Sequence, residues 1–133
     1  MTNACDQAMA GEIAELQLEL KRRQWQAALR WRERMQTYLA STGITFTEWL
    51  VLDATWSLVN RTGDAVSQTE IARDLELDAM TLWHALAVLD HRGLISRGCS
   101  MSGKTWRAFV TKAGADLLRA VKPGLERVSA PTP

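Results

Sequence analysis

Few side chains in this sequence could do covalent or metal chemistry, and they are not grouped for it. The two cysteines, Cys5 and Cys99, sit near opposite ends of the chain, so there is no disulfide framework and no Cys-x-x-Cys pair of the kind structural zinc needs. A redox role for Cys5 would need a neighbour that lowers its thiol pKa, and the sequence around it supplies none. His84, Asp90, His91 and Cys99 could be imagined around a metal, but not at recognised ligand spacing. The chain has no Gly-x-Ser-x-Gly, no phosphate-binding glycine loop and no His-Glu-x-x-His. We therefore expect neither an enzyme nor a bound metal or cofactor. The chemistry on offer is recognition. Met80, Thr81, Trp83 and His84 cluster within one turn and a half of a short helix, and Arg97, Lys104 and Arg107 follow close behind.

The stretch Ser67 to Lys112 must position these residues. Ser67-Gln68-Thr69-Glu70 reads as a capping box opening a helix whose Ile71, Ala72 and Leu75 share a face. Asp78 is the expected N-cap of the next helix, in which Leu82, Ala85, Leu86 and Leu89 face inward and Met80, Thr81, Trp83, His84 and Ala87 outward. Arg92-Gly93 stops it. Leu94–Arg97 and Trp106–Thr111 read as strands around a tip at Ser102-Gly103-Lys104. Two helices across a tight turn, followed by a hairpin, make a winged helix-turn-helix whose second helix is shaped for a DNA major groove.

At 133 residues the chain suits one domain, and no apolar run is long enough to span a bilayer. With no signal peptide in view, a reducing cytoplasm is expected. The net charge of +1 is unevenly spread. Residues 41–93 hold three basic against eight acidic residues, and residues 94–133 hold seven against two. Counterion release at phosphates needs cations, so an electrostatic footprint on DNA would have to come from the wing.

In order, residues 1–10 are expected to be disordered, and 11–41 to form one long helix without proline or internal glycine. Ile13, Leu16, Leu20, Ala27, Trp31, Met35 and Tyr38 form one stripe on it, and Leu18, Trp25 and Leu29 a second. Two stripes suggest two partners, the chain's own domain and a second subunit. Thr45-Phe46-Thr47-Glu48 is another capping box, opening a central helix that is apolar nearly all round. The winged helix-turn-helix region is assigned to 45–112, a last helix to 113–128 with a kink at Pro123, and a frayed tail to 129–133. The fold class is mainly α with a small antiparallel β wing.

The order long helix, buried helix, winged helix-turn-helix, long final helix resembles the MarR family of bacterial transcriptional regulators. Gly43–Leu52, Ser67–Leu75, Leu89–Ile95 and Thr111–Gly114 carry the likeness, which covers residues 12–128. It implies a cytoplasmic homodimer joined by its first and last helices, with each recognition helix on one half-site of double-stranded DNA. It also implies a small aromatic or phenolic ligand that releases DNA, and hence a ligand-responsive repressor. The family's recognition helix usually carries small hydroxyl residues and then an arginine, and its wing an Asp-Arg pair. Here no arginine precedes Arg92 in that helix, and the tip has no acid.

On this basis Met80, Thr81, Trp83 and His84 are candidate base contacts, and Lys104, Arg107 and Arg97 candidate phosphate contacts. Ser67, Gln68 and Thr69 could donate to phosphate as well as cap their helix. Trp25, Trp49 and Trp56 are candidates for a ligand pocket, with plain core packing as the competing role. A reading of a different class is a winged-helix module that binds another regulator through Trp83 and the acidic helix-turn-helix surface. The positions of Asp74, Glu76 and Asp78 distinguish the two.

Overall fold

The computed structural model describes residues 3–99 and 106–131. Helix α1 runs Ala4–Leu39 and passes through a short 3-10 turn, Ala40–Thr42, into α2, Phe46–Thr62. Strand β1 (Val66–Ser67) leads into α3 (Gln68–Leu75) and α4 (Ala79–His91). Strands β2 (Ile95–Cys99) and β3 (Trp106–Val110) form the wing, and α5 (Lys112–Ser129) closes the chain. The sheet order is β1-β3-β2, all antiparallel, with Val66 opposite Ala108 and Ile95 opposite Val110. The hairpin tip, including Ser102, Gly103 and Lys104, lies outside the described residues.

The helix ends are capped largely as their residues dictate. Thr45 Oγ1 accepts from the Glu48 amide and the Glu48 carboxylate accepts from the Thr45 amide, both at 3.1 Å. The next free donor, the Phe46 amide, is taken by Gln36 Oε1 of α1 at 2.8 Å. Asp78 Oδ1 accepts from the Thr81 amide at the head of α4. Ser67 caps α3 by accepting from Glu70 N, without the reciprocal bond of a full capping box. Ser67 is also the last residue of β1, where it pairs with Arg107. The turn between α3 and α4 is closed by Glu76 in the left-handed region at φ 54°, where glycine would be more comfortable.

The core gathers where five helices and the sheet meet. Met35, Leu39, Val51, Leu52, Ile71, Leu86 and Leu89 are almost fully buried. The four residues of α4 expected to face inward, Leu82, Ala85, Leu86 and Leu89, are all buried. One expectation needs correction. Residues 4–10 are helical rather than disordered: α1 begins at Ala4, with Asn3 Oδ1 accepting from the Asp6 amide. The helix-forming character of Ala4, Asp6, Gln7, Ala8 and Met9 continues that of the helix proper, and Gly11 is one weak residue within it. Pro123 lies within α5, Lys112–Ser129. Its missing N–H costs that helix one bond, while the next residue, Gly124, makes room for the Tyr38 ring of α1.

Within α1 only Met35 and Leu39 are buried. Its first half, from Met9 to Leu20, carries four apolar side chains on the side that further along packs Trp31 and Met35 into the core, at about 100° per residue. Leu18, Trp25 and Leu29 fall on the opposite side and are also exposed. At about 1.5 Å per residue this helix is about 54 Å long, well beyond the body it packs on. Among the described residues no helix is long and apolar enough to cross a membrane.

Candidate nucleic-acid interface and aromatic groove

The exposed surface of α4 follows from its buried one. With Leu82, Ala85, Leu86 and Leu89 inward, helical spacing puts Met80, His84, Ala87 and His91 on the outward side. Met80, His84 and His91 are exposed and Ala87 half-buried. Trp83 and Asp90, seven residues apart, lie to one flank of this stripe, on the side of the wing. Thr81 lies to the other, and its hydroxyl donates to Asp78 Oδ2 at 2.7 Å. The outward stripe therefore holds Met80 and His84 as expected, adds His91, and leaves Trp83 and Thr81 beside it. His91 was legible at i+7 from His84 in the same helix.

The wing arginines are held by the protein itself. Arg97 reaches back from β2, and its Nε donates to Asp90 Oδ2 at 3.3 Å. Its guanidinium carbon sits 4.7 Å from the centre of the Trp83 ring and 6.0 Å from that of Trp106. The Arg97 side chain is only 13% exposed. Arg107 donates from Nη1 to the Ala65 carbonyl at 2.9 Å, tying β3 to the residue before β1. Both are placed by sequence among the phosphate contacts, and the structure gives both an internal partner. Lys104, the third, lies outside the described residues.

At the head of α3, Ser67 is buried and acts as a cap, Gln68 is half-buried and Thr69 exposed. The Gln68 amide nitrogen is buried without a partner among the described residues. Asp74, Glu76 and Asp78 of the helix-turn-helix are all exposed. Asp74 approaches Arg61 of α2 at 3.8 Å, Glu76 occupies the turn, and Asp78 stands at the head of α4. Hydrogen bonds from the Thr81 amide and hydroxyl hold the Asp78 carboxyl below its ordinary pKa.

Away from this surface, α1, α2 and α5 enclose a groove of about 410 Å³. Trp31, Trp49 and Trp56 line it with Met35, Leu118 and Leu125. Phe46 braces the wall, edge-on to Trp31 at 5.2 Å and tilted against Trp49 at 5.9 Å. The Trp31 indole N–H donates to Ser129 Oγ at 2.7 Å, fixing the ring to the end of α5. Asp53, Arg119, Lys122 and Glu126 supply charge around it. Asp53 is an exposed residue of α2 at the edge of this groove. Partial burial raises its pKa, and the nearby Lys122 ammonium opposes the rise.

Of the three tryptophans expected here, Trp49 and Trp56 line the groove and Trp25 does not. Trp25 is 65% exposed on the side of α1 turned away from the core. The lining tryptophan from α1 is Trp31, which stands in the heptad stripe with Met35 and Tyr38. The choice between the two stripes of α1 rests on which one α5 covers, and only packing decides that.

No family model matches the chain, and no curated protein matches its sequence. Solved structures do match its fold. AbfR of Staphylococcus epidermidis, solved in its reduced form bound to DNA, is 22% identical over 95% of this chain and 87% of its own, with a TM-score of 0.76. A MarR-family transcriptional regulator from Rhodococcus sp. RHA1 is 18% identical over 85% of this chain and 77% of its own, TM-score 0.74. The S. aureus MepR–DNA complex is 18% identical over 77% of this chain and 74% of its own, TM-score 0.69. This chain shares the winged-helix fold of these regulators.

Proposed function

We propose that this chain is a DNA-binding transcriptional regulator of the MarR type, working as a homodimer. The observation that carries the proposal is the exposed helix Ala79–His91 beside a three-stranded wing, in the fold of proteins solved on DNA. Met80 and His84, with His91, are the residues offered to base edges; Thr69 and Lys104 are offered to the backbone. The likeness to folds solved on DNA supports this reading over the protein-binding alternative.

The dimer is supported by Met9, Ile13, Leu16 and Leu20, an exposed apolar stripe continuous with the side of α1 that packs the core. A second copy would cover it and bring two recognition helices into a fixed spacing. The aromatic groove supports an effector: a small aromatic molecule would stack between Trp31, Trp49 and Trp56, at the junction of α1 and α5 with the DNA-binding part. Its binding would favour one spacing of the recognition helices, and release of DNA from a repressor is the expected outcome.

The experiment is selection of duplexes from a random library by the full chain, followed by fluorescence anisotropy across salt concentrations. Enrichment of a pseudo-palindrome, with affinity that falls as salt rises, is expected. Equal weak binding to selected and scrambled duplexes would leave the chain without sequence-specific function and return weight to a protein-binding module.

A further inference from the structure

When one element enters a major groove and the next enters the neighbouring minor groove, a single sugar–phosphate strand runs between them. That strand must cross whatever surface joins the two elements. In this protein the join between α4 and the wing is built from Trp83, Arg97 and Trp106. Arg97 lies against both rings, 4.7 Å from one and 6.0 Å from the other. Its Nε meets Asp90 at 3.3 Å, its side chain is 13% exposed, and its Nη1 is buried without a hydrogen-bond partner among the described residues. The indoles remain open, Trp83 42% and Trp106 47% exposed. Among the described residues the surface is thus largely apolar, its one cation met by a carboxylate, at the place where a phosphate-binding surface would present bare cations.

Resting on the DNA-binding function proposed above, we propose that the strand between the grooves is held by packing of its deoxyribose faces on Trp83 and Trp106. Arg97 is the positioning residue for both rings and does not bind phosphate. A deoxyribose offers a largely C–H face to an indole, and such contact buries apolar area without displacing counterions. It adds affinity and leaves the salt dependence of binding alone, because that slope counts neutralised phosphates. The chemistry also suits a helix-turn-helix segment in which acidic residues outnumber basic ones, where cations are scarce. Arg is the residue for this task because its planar guanidinium stacks on one ring and donates sideways to a carboxylate at once, which lysine cannot do.

The test uses the full chain, fluorescent duplexes selected by the wild type, and anisotropy over a range of salt. Trp106→Ala and Trp83→Ala should each weaken binding about tenfold or more with the salt slope unchanged, and Trp106→Phe should retain most of the affinity. Arg97→Lys, which keeps the charge and loses the stack, should weaken binding as much as Arg97→Ala, again at constant slope. A slope shallower by about 0.9 per subunit in Arg97→Ala, restored in Arg97→Lys, would make Arg97 a phosphate ligand and overturn the proposal. So would a Trp106→Ala variant within about twofold of the wild type. Should Trp83→Ala fail to fold, the two Trp106 variants carry the test, since that residue sits at an exposed strand end. A wild type that retains no duplex overturns the DNA-binding function and this inference with it; a wild type whose binding neither Trp83→Ala nor Trp106→Ala changes overturns this inference alone.

Discussion

Single residues decide how closely the helices approach. A Cβ on Gly124 would collide with the ring of Tyr38, so α1 and α5 meet there only because α5 has no side chain at that point. Gly124→Ala should lower stability by about 1–3 kcal/mol in urea unfolding, as overpacking does. The loss should shrink in a Tyr38→Ala background, and an undiminished loss would place the cause elsewhere. Asp53 gives a prediction in pH. Burial raises its pKa in the folded chain above the ordinary 3.8, so the folded state binds that proton more tightly than the unfolded one. Its contribution to stability therefore falls as pH rises from the unfolded value through the folded one, and stays low at neutral pH. Asp53→Asn should raise the melting temperature at pH 7, with the two chains converging below pH 3.8. For Asp78 the sign is opposite. Its pKa is lowered by the Thr81 bonds, so it supports folding above the ordinary value and loses that support as acid protonates it. Asp78→Ala should therefore cost stability at neutral pH, by a margin that closes in acid.

At the scale of elements, α2 holds the assembly together through its start. Three of its first donors are satisfied, two inside the Thr45–Glu48 box and one by Gln36 of α1. Thr45→Ala should cost about 1 kcal/mol, measured by urea unfolding, with little change in the slope against denaturant. A second junction is Arg92, which follows α4 and donates to the Gly43 carbonyl at 2.7 Å. It links the end of α4 to the turn between α1 and α2, so a shift of α1 has a direct route to α4. Helix α1 itself divides into a part the core needs and a part it does not. Removing residues 4–22 leaves Trp31, Met35 and Leu39 in place. By sedimentation velocity that truncated chain should be a folded monomer, and an intact dimer would take the first half of α1 out of the subunit interface.

For the whole molecule, the groove and the proposed DNA surface use different elements of the same core. The groove uses α1, α2 and α5; the proposed DNA surface uses α4 and the wing; Leu52, Leu86 and Leu89 belong to the shared core. Core packing is stiff, so a ligand that spreads Trp31 from Trp49 would move helices as bodies rather than dent one wall. Three tryptophans in the groove make that measurable. A small aromatic effector should quench their fluorescence and raise the apparent dissociation constant for DNA over the same concentration range. Quenching without any loss of DNA affinity would separate the groove from regulation.

The order of elements was legible in the sequence because each is written locally. The capping residues Thr45, Ser67 and Asp78 and the period of Leu82, Ala85, Leu86 and Leu89 are properties of short windows, and the structure shows each cap and each buried position. The candidate sites were legible only in part. Trp49 and Trp56 could be placed because α2 is apolar all round and central. Trp25 could not, because two stripes on α1 look alike until α5 covers one of them. Arg97 and Arg107 look like open cations in sequence, since the carboxylate, rings and carbonyl that take them up lie on other elements. Local propensity and period determine which segments fold and which side of each is apolar. Which polar groups are left free to act is settled by contacts between distant segments, and these exist only once the chain has packed.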